Sequence, residues 1–127
     1  MWQDFLFACG SYPTFPSLLE LIEAEVRSNV RRLRHHPSVI IYAGGNEDYQ
    51  IQEKYNLTYD YDTDKDPQSW LKTSFPSRYI FEHLLPKTLE EEYPGAIYHP
   101  SSPWGDGKHT TDQTVGDIHQ WNGKLHV

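Results

Sequence analysis

Asn46 and Glu47 follow two glycines, Gly44-Gly45, at the end of the apolar, β-branched run Ser38-Val39-Ile40-Ile41-Tyr42-Ala43. A continuous apolar run of this length, bounded by turn residues, suits a strand buried on both faces. In α/β proteins ligands gather where such strands end. A carboxyl delivered there is a candidate for catalysis, since it can give up or accept a proton. The same pair also suits the opening of a loop or the cap of a helix.

Other residue groups are weaker candidates. Asp60-x-Asp62-x-Asp64 has the alternation of a calcium loop, but Lys65 stands where glycine is required and Leu71 where glutamate is required. His35-His36 sit before Pro37, at a helix end where cations suit the dipole, and adjacent helical positions do not face one ligand. No complete zinc-type ligand spacing is present, and neither metal nor cofactor is expected. Four Trp and nine Tyr could stack on a ligand, although rings also fill cores. The single cysteine, Cys9, excludes an internal disulfide framework and reads as a buried structural thiol.

The elements that must hold these residues alternate between strand and helix. Trp2–Cys9 is short and mostly apolar, ended by Gly10, Pro13 and Pro16. Ser17-Leu18-Leu19-Glu20 has the pattern of a capping box with Ser17 as N-cap. Behind it Leu19, Ile22, Val26, Val30 and Leu33 form one apolar helical stripe running to about His35. Arg27, Arg31, Arg32 and Arg34 gather toward its C-terminal end, and Pro37 stops it. Residues 48–73 are polar, acidic and rich in tyrosine, an irregular excursion expected to decorate the active face and to hold one short helix.

Pro76 suits a first helical turn, with Ile80, Phe81, Leu84 and Leu85 on the buried side. Pro86 is expected to kink or divide that helix, which Pro94-Gly95 ends near Tyr93. Ala96–His99 reads as a short strand. A Ser/Gly/Pro-rich loop carrying Trp104 follows, and Gly116–Trp121 reads as a last strand. A helix feeding directly into a buried strand is half of a repeating βα unit, so the class is α/β.

Composition narrows the function classes. A chain of 127 residues, 37% hydrophobic and 14% aromatic, has the character of a globular domain. Its net charge of −7 argues against a nucleic-acid surface. No stretch is long and apolar enough to span a membrane as a helix. The N-terminus lacks a basic region followed by an apolar one, so a cytoplasmic location is expected. The sequon Asn56-Leu57-Thr58 has meaning only in a secretory compartment.

Four stretches in order carry a family resemblance: Trp2-Gln3-Asp4-Phe5-x-Phe7-Ala8-Cys9, Arg32-Leu33-Arg34-His35-His36-Pro37-Ser38-Val39, Gly45-Asn46-Glu47-Asp48 and Gly116-Asp117-Ile118-His119-Gln120-Trp121. Together they resemble the β-mannosidases of glycoside hydrolase family two, the fungal intracellular (type B) enzymes most of all, from Met1 to about Asn122. The resemblance implies part of a (β/α)₈ TIM barrel. Trp2–Cys9 would be strand three, Val39–Ala43 strand four, Ile97–His99 strand five and Ile118–Trp121 strand six. Residues 1–127 would then be a fragment of the catalytic domain, with a diverged tail at about 122–127. A whole barrel needs roughly 250 residues, so the remaining strands and the family's N-terminal sandwich domains would lie elsewhere.

By the same resemblance Glu47 matches the proton donor of a retaining hydrolase that releases terminal β-D-mannose. It would be protonated to expel the leaving alcohol and would then act as base toward water. Such a carboxyl must keep its proton near working pH. Asn46 matches the asparagine that hydrogen-bonds the sugar 2-hydroxyl, and Trp2, Asp4, Trp104, His119 and Trp121 are expected as pocket walls for a β-mannoside oligosaccharide. The nucleophile motif of the family, a second carboxylate roughly 5–5.5 Å from the first, has no match here, so the isolated chain is expected to be inactive. Gly45 stands where mannosidases usually carry a second asparagine, as in the β-galactosidase branch. A β-galactosidase or β-glucuronidase relative, or a non-catalytic carbohydrate-binding remnant, therefore stays open.

Overall fold

The computed structural model describes residues 1–120. Three parallel strands, β1 (Trp2–Ala8), β2 (Ile41–Asn46) and β3 (Tyr98–His99), lie in the sheet in chain order with β2 in the centre. The long helix α1 (Pro16–Leu33) crosses from β1 to β2. Between β2 and β3 come α2 (Asp48–Lys54), α3 (Pro67–Trp70), a π-helical turn (Ile80–Leu84) and α4 (Leu85–Glu92). Parallel neighbours require such crossovers, so the sequence order and the α/β class agree. Among the described residues, no helix is long and apolar enough to cross a membrane.

The core lies between the sheet and the helices. Phe5, Phe7 and Tyr42 from the strands meet Val26 and Val30 of α1 and Phe81, Leu85 and Leu89 of the second helical region. The expected stripe on α1 is therefore the buried face, with Ile22, Val26 and Val30 at its centre. Its arginines do more than complement a dipole. Arg27 and Arg31 donate to Glu92 of α4 at 3.0 and 2.8 Å, and Arg34 donates to the Glu92 carbonyl at 2.8 Å. Hydrogen bonds from Arg31 and then Arg27 hold the Glu92 carboxyl down at about 2.

Several expected boundaries shift, each for a local reason. Helix α1 starts at Pro16 with Phe15 as N-cap and no side-chain cap, so Ser17 is not the capping residue. The fixed φ of proline begins the helix two positions earlier. Strand β2 does not stop at Gly44-Gly45 but runs through them to Asn46. A Cβ on Gly44 would fall 1.9 Å from the Pro100 carbonyl oxygen, and one on Gly45 would fall 2.3 Å from Asp48 Oδ2. The glycines thus admit close neighbours rather than turn the chain.

Residues 48–73 hold two short helices, not one. Pro86 does not divide its helix, because the π turn ahead of it widens the ladder, with Leu85 N–H reaching back to the Ile80 carbonyl. The strand at Ala96–His99 shortens to Tyr98–His99. Residues 116–120 form no strand, and Trp121 lies outside the described residues. Gly116 takes a φ of +60° against the Trp104 carbonyl, and the side chains beyond it turn back to bond His99 of β3 and Ser102 after it.

Candidate active site at the carboxyl ends of the strands

Glu47 follows the last residue of the central strand. Its backbone is left-handed (φ 61°), a conformation that costs a non-glycine residue on the order of 1 kcal/mol and persists only where neighbours enforce it. Here three strand ends enforce it. Glu47 N–H donates to the Ser102 carbonyl at 2.8 Å, Ser102 N–H to the Gly45 carbonyl at 2.8 Å, and Cys9 N–H to the Asn46 carbonyl at 2.7 Å. Glu47 occupies the N-cap position of α2, but its side chain makes no capping hydrogen bond. The carboxyl is turned to other partners.

Among the described residues, two of those partners are His119 and Cys9. His119 Nδ1 lies 2.8 Å from Glu47 Oε1, and the Cys9 thiol donates to Oε2 at 3.5 Å. Cys9 is exposed at the strand end with a left-handed φ of 48°, which corrects the expectation of a buried structural thiol. Partial desolvation of the sulfur and then the bond to Glu47 push its pKa up, so it stays a neutral donor. Asn46 Nδ2 approaches the same sulfur at 3.9 Å.

Asp48 is fully buried at the start of α2. Burial pushes its carboxyl up to about 7, although Gly10 N–H donates to Oδ1 at 3.3 Å and pulls the other way. The acid beside Glu47 therefore holds its proton more readily than an ordinary aspartate.

Behind His119 runs a chain of polar side chains. His119 Nε2 meets Ser102 Oγ at 2.9 Å, Ser102 donates to Asp117 Oδ2 at 2.5 Å, and His99 Nε2 meets Asp117 Oδ1 at 2.6 Å. Burial alone would raise the Asp117 carboxyl, yet the Ser102 hydroxyl and the His99 ring hold it below its ordinary value. The chain continues into rings. Trp2 and Trp104 both pack edge-on to His99, at 5.4 and 5.8 Å between centroids, and Trp2 Nε1 donates to Asp4 Oδ1 at 2.6 Å.

Of the residues singled out from the sequence, Asn46, Glu47 and His119 thus converge at the strand ends. Trp2, Asp4 and Trp104 converge on one another around His99. Trp2 pairs with Ile41 and Asp4 with Ala43, so both lie on the first half of β1, below the level of Glu47. Trp121 lies outside the described residues. His99, Ser102 and Asp117 join the two groups, and sequence reasoning missed their part. The available signal was Asp117 two residues before His119, the spacing of two side chains on one face of an extended segment.

No protein-family model matches the chain. Among curated proteins it is 66% identical over 122 residues to β-mannosidase B of Emericella nidulans and 65% identical to that of Aspergillus fumigatus. Each match covers 96% of this chain and 14% of the relative. The chain is similar to one segment of the β-mannosidases. A solved β-D-mannosidase from Dictyoglomus thermophilum superposes with a TM-score of 0.69 at 30% identity, over 94% of this chain and 13% of that one. The small parallel sheet with its helices is therefore an arrangement also found within a β-mannosidase.

Proposed function

We propose that these residues are the acid/base-bearing segment of a retaining β-mannosidase of glycoside hydrolase family two. The observation that carries the reading is the Glu47 carboxyl at the carboxyl end of a central parallel strand, held there by three strand ends. Glu47 protonates the leaving oxygen and later deprotonates water. Asn46 hydrogen-bonds the sugar 2-hydroxyl, and Trp104 and His119 wall the pocket. The nucleophilic carboxylate comes from outside these residues, as do the remaining strands of the barrel.

A partial (β/α)₈ barrel fits the sheet. β1 and β3 each pair with β2, in chain order and in parallel. At the amino ends of the three strands Met1, Ile40 and Ile97 are each more than 60% exposed, and Leu6 on β1 is 70% exposed. Side chains of this kind fill the interior layers of a closed barrel. A Cβ at Gly45 would fall 2.3 Å from Asp48 Oδ2 and 3.0 Å from Phe7, so close packing against these neighbours accounts for a glycine there.

Segment exchange tests the proposal. The isolated chain is expected to release no product from an aryl β-mannoside. The same chain, replacing the segment it matches in the Emericella nidulans enzyme, is expected to sustain hydrolysis. A hybrid that folds but hydrolyses aryl β-galactosides in preference to β-mannosides would overturn the assignment.

A further inference from the structure

The hydrogen-bond polarity behind Glu47 fixes where a proton must be. Asp117 accepts from three donors: the Ser102 hydroxyl, the His99 ring and Trp104 N–H at 3.2 Å. A carboxylate so surrounded is ionised and can only accept. Ser102 has one hydroxyl hydrogen, and Asp117 takes it. The remaining contact of Ser102 Oγ, to His119 Nε2 at 2.9 Å, therefore requires that nitrogen to carry the hydrogen. A neutral His119 of this tautomer has a bare lone pair on Nδ1. Nδ1 faces Glu47 Oε1 at 2.8 Å, and two lone pairs do not approach so closely without a proton between them.

We propose that Ser102 and Asp117 lock His119 in its Nε2–H form, so that Glu47 and His119 share one proton through Nδ1 at neutral pH. The pair holds it either as carboxylic acid and neutral imidazole or as carboxylate and imidazolium. His119 is thus a positioning residue that keeps a proton at Glu47, beyond the role of a pocket wall. Around the pair, among the described residues, stand Cys9 at the end of β1, Asp48 on α2 and, behind Ser102, Asp117 and His99. Negative charge on Asp48 favours keeping that proton, and the neutral Cys9 thiol adds no charge against it. The catalytic meaning of the pair rests on the reading of Glu47 as the acid/base, whereas the proton position rests on geometry alone.

Ring ¹⁵N spectra of the histidine-labelled chain test it directly. At pH 7 His119 is expected to carry a protonated Nε2, with Nδ1 hydrogen-bonded or protonated. Ser102→Ala releases the tautomer and is expected to bring in the neutral Nδ1–H form at the ratio of an unconstrained histidine. Ser102→Thr, which retains the hydroxyl, restores the Nε2–H form. A neutral Nδ1–H tautomer at pH 7, a tautomer ratio unmoved by Ser102→Ala, or a His119 with the tautomer ratio of an unfolded peptide would each overturn the proposal. A hybrid enzyme inactive on mannosides would instead refute the reading of Glu47 and leave the proton assignment standing.

Discussion

At the scale of single residues, two neighbouring acids are set to different tasks by their surroundings. Glu47 is turned to a histidine and a thiol at the strand ends, while Asp48 is enclosed beneath them. A carboxyl raised from 3.8 to about 7 on folding binds its proton more tightly in the native state. Its contribution is complete below pH 3.8 and is lost as pH rises through about 7, on the order of 4 kcal/mol for a shift of this size. Asp48→Asn is therefore expected to flatten the fall in stability between pH 5 and 8, measured by denaturant unfolding at both pH values. Equal pH slopes for both chains would contradict the burial argument. Glu47 was legible because an apolar run and two glycines announce a strand end. The partners behind it were not, since Glu47 and His119 lie 72 positions apart and Ser102 and Asp117 15 apart. Local pattern carries no record of such contacts.

At the scale of elements, the excursion after β2 is anchored by one part-buried carboxylate. Glu82 accepts from Tyr49 and Tyr59 at 2.6 Å each and from Arg78 at 3.0 Å. The Arg78 guanidinium lies over the rings of Trp70 and Tyr59, at 4.0 and 4.7 Å, and donates to the Asp60 carbonyl. Removing one partner from a buried ion pair costs about 3–5 kcal/mol, because the other charge is left uncompensated. Glu82→Ala is expected to lose stability in that range and to expose residues 48–73 to early proteolysis, whereas a loss below 1 kcal/mol would show the network to be dispensable. Periodicity revealed that α1, the second helical region and three strands exist. It misjudged their ends wherever a proline or glycine acted through a neighbour, as Pro16, Gly44 and Pro86 do.

At the scale of the whole molecule, the α/β class was readable from alternation, whereas the neighbour order of β1, β2 and β3 was expected only through the family resemblance. A strand at residues 116–121 was not borne out over the described residues, because side-chain bonds to His99 and Ser102 replace sheet pairing there. The exposed amino-end residues Met1, Ile40 and Ile97, with Leu6 on β1, leave apolar surface of the kind that drives association. The isolated chain is expected to sediment as concentration-dependent oligomers, and Leu6→Lys with Ile97→Lys to reduce that association without lowering helical content. A chain that stays monomeric at high concentration would weaken the partial-barrel reading.

The central claim is that Glu47 protonates the leaving group, and leaving-group dependence tests it most directly. In the hybrid enzyme, Glu47→Gln is expected to lower kcat/KM on an unactivated β-mannoside by about 10²–10⁴-fold. The loss should be far smaller on an aryl β-mannoside whose leaving group departs without a proton. An equal loss on both substrates, or none on either, would contradict the role assigned to Glu47.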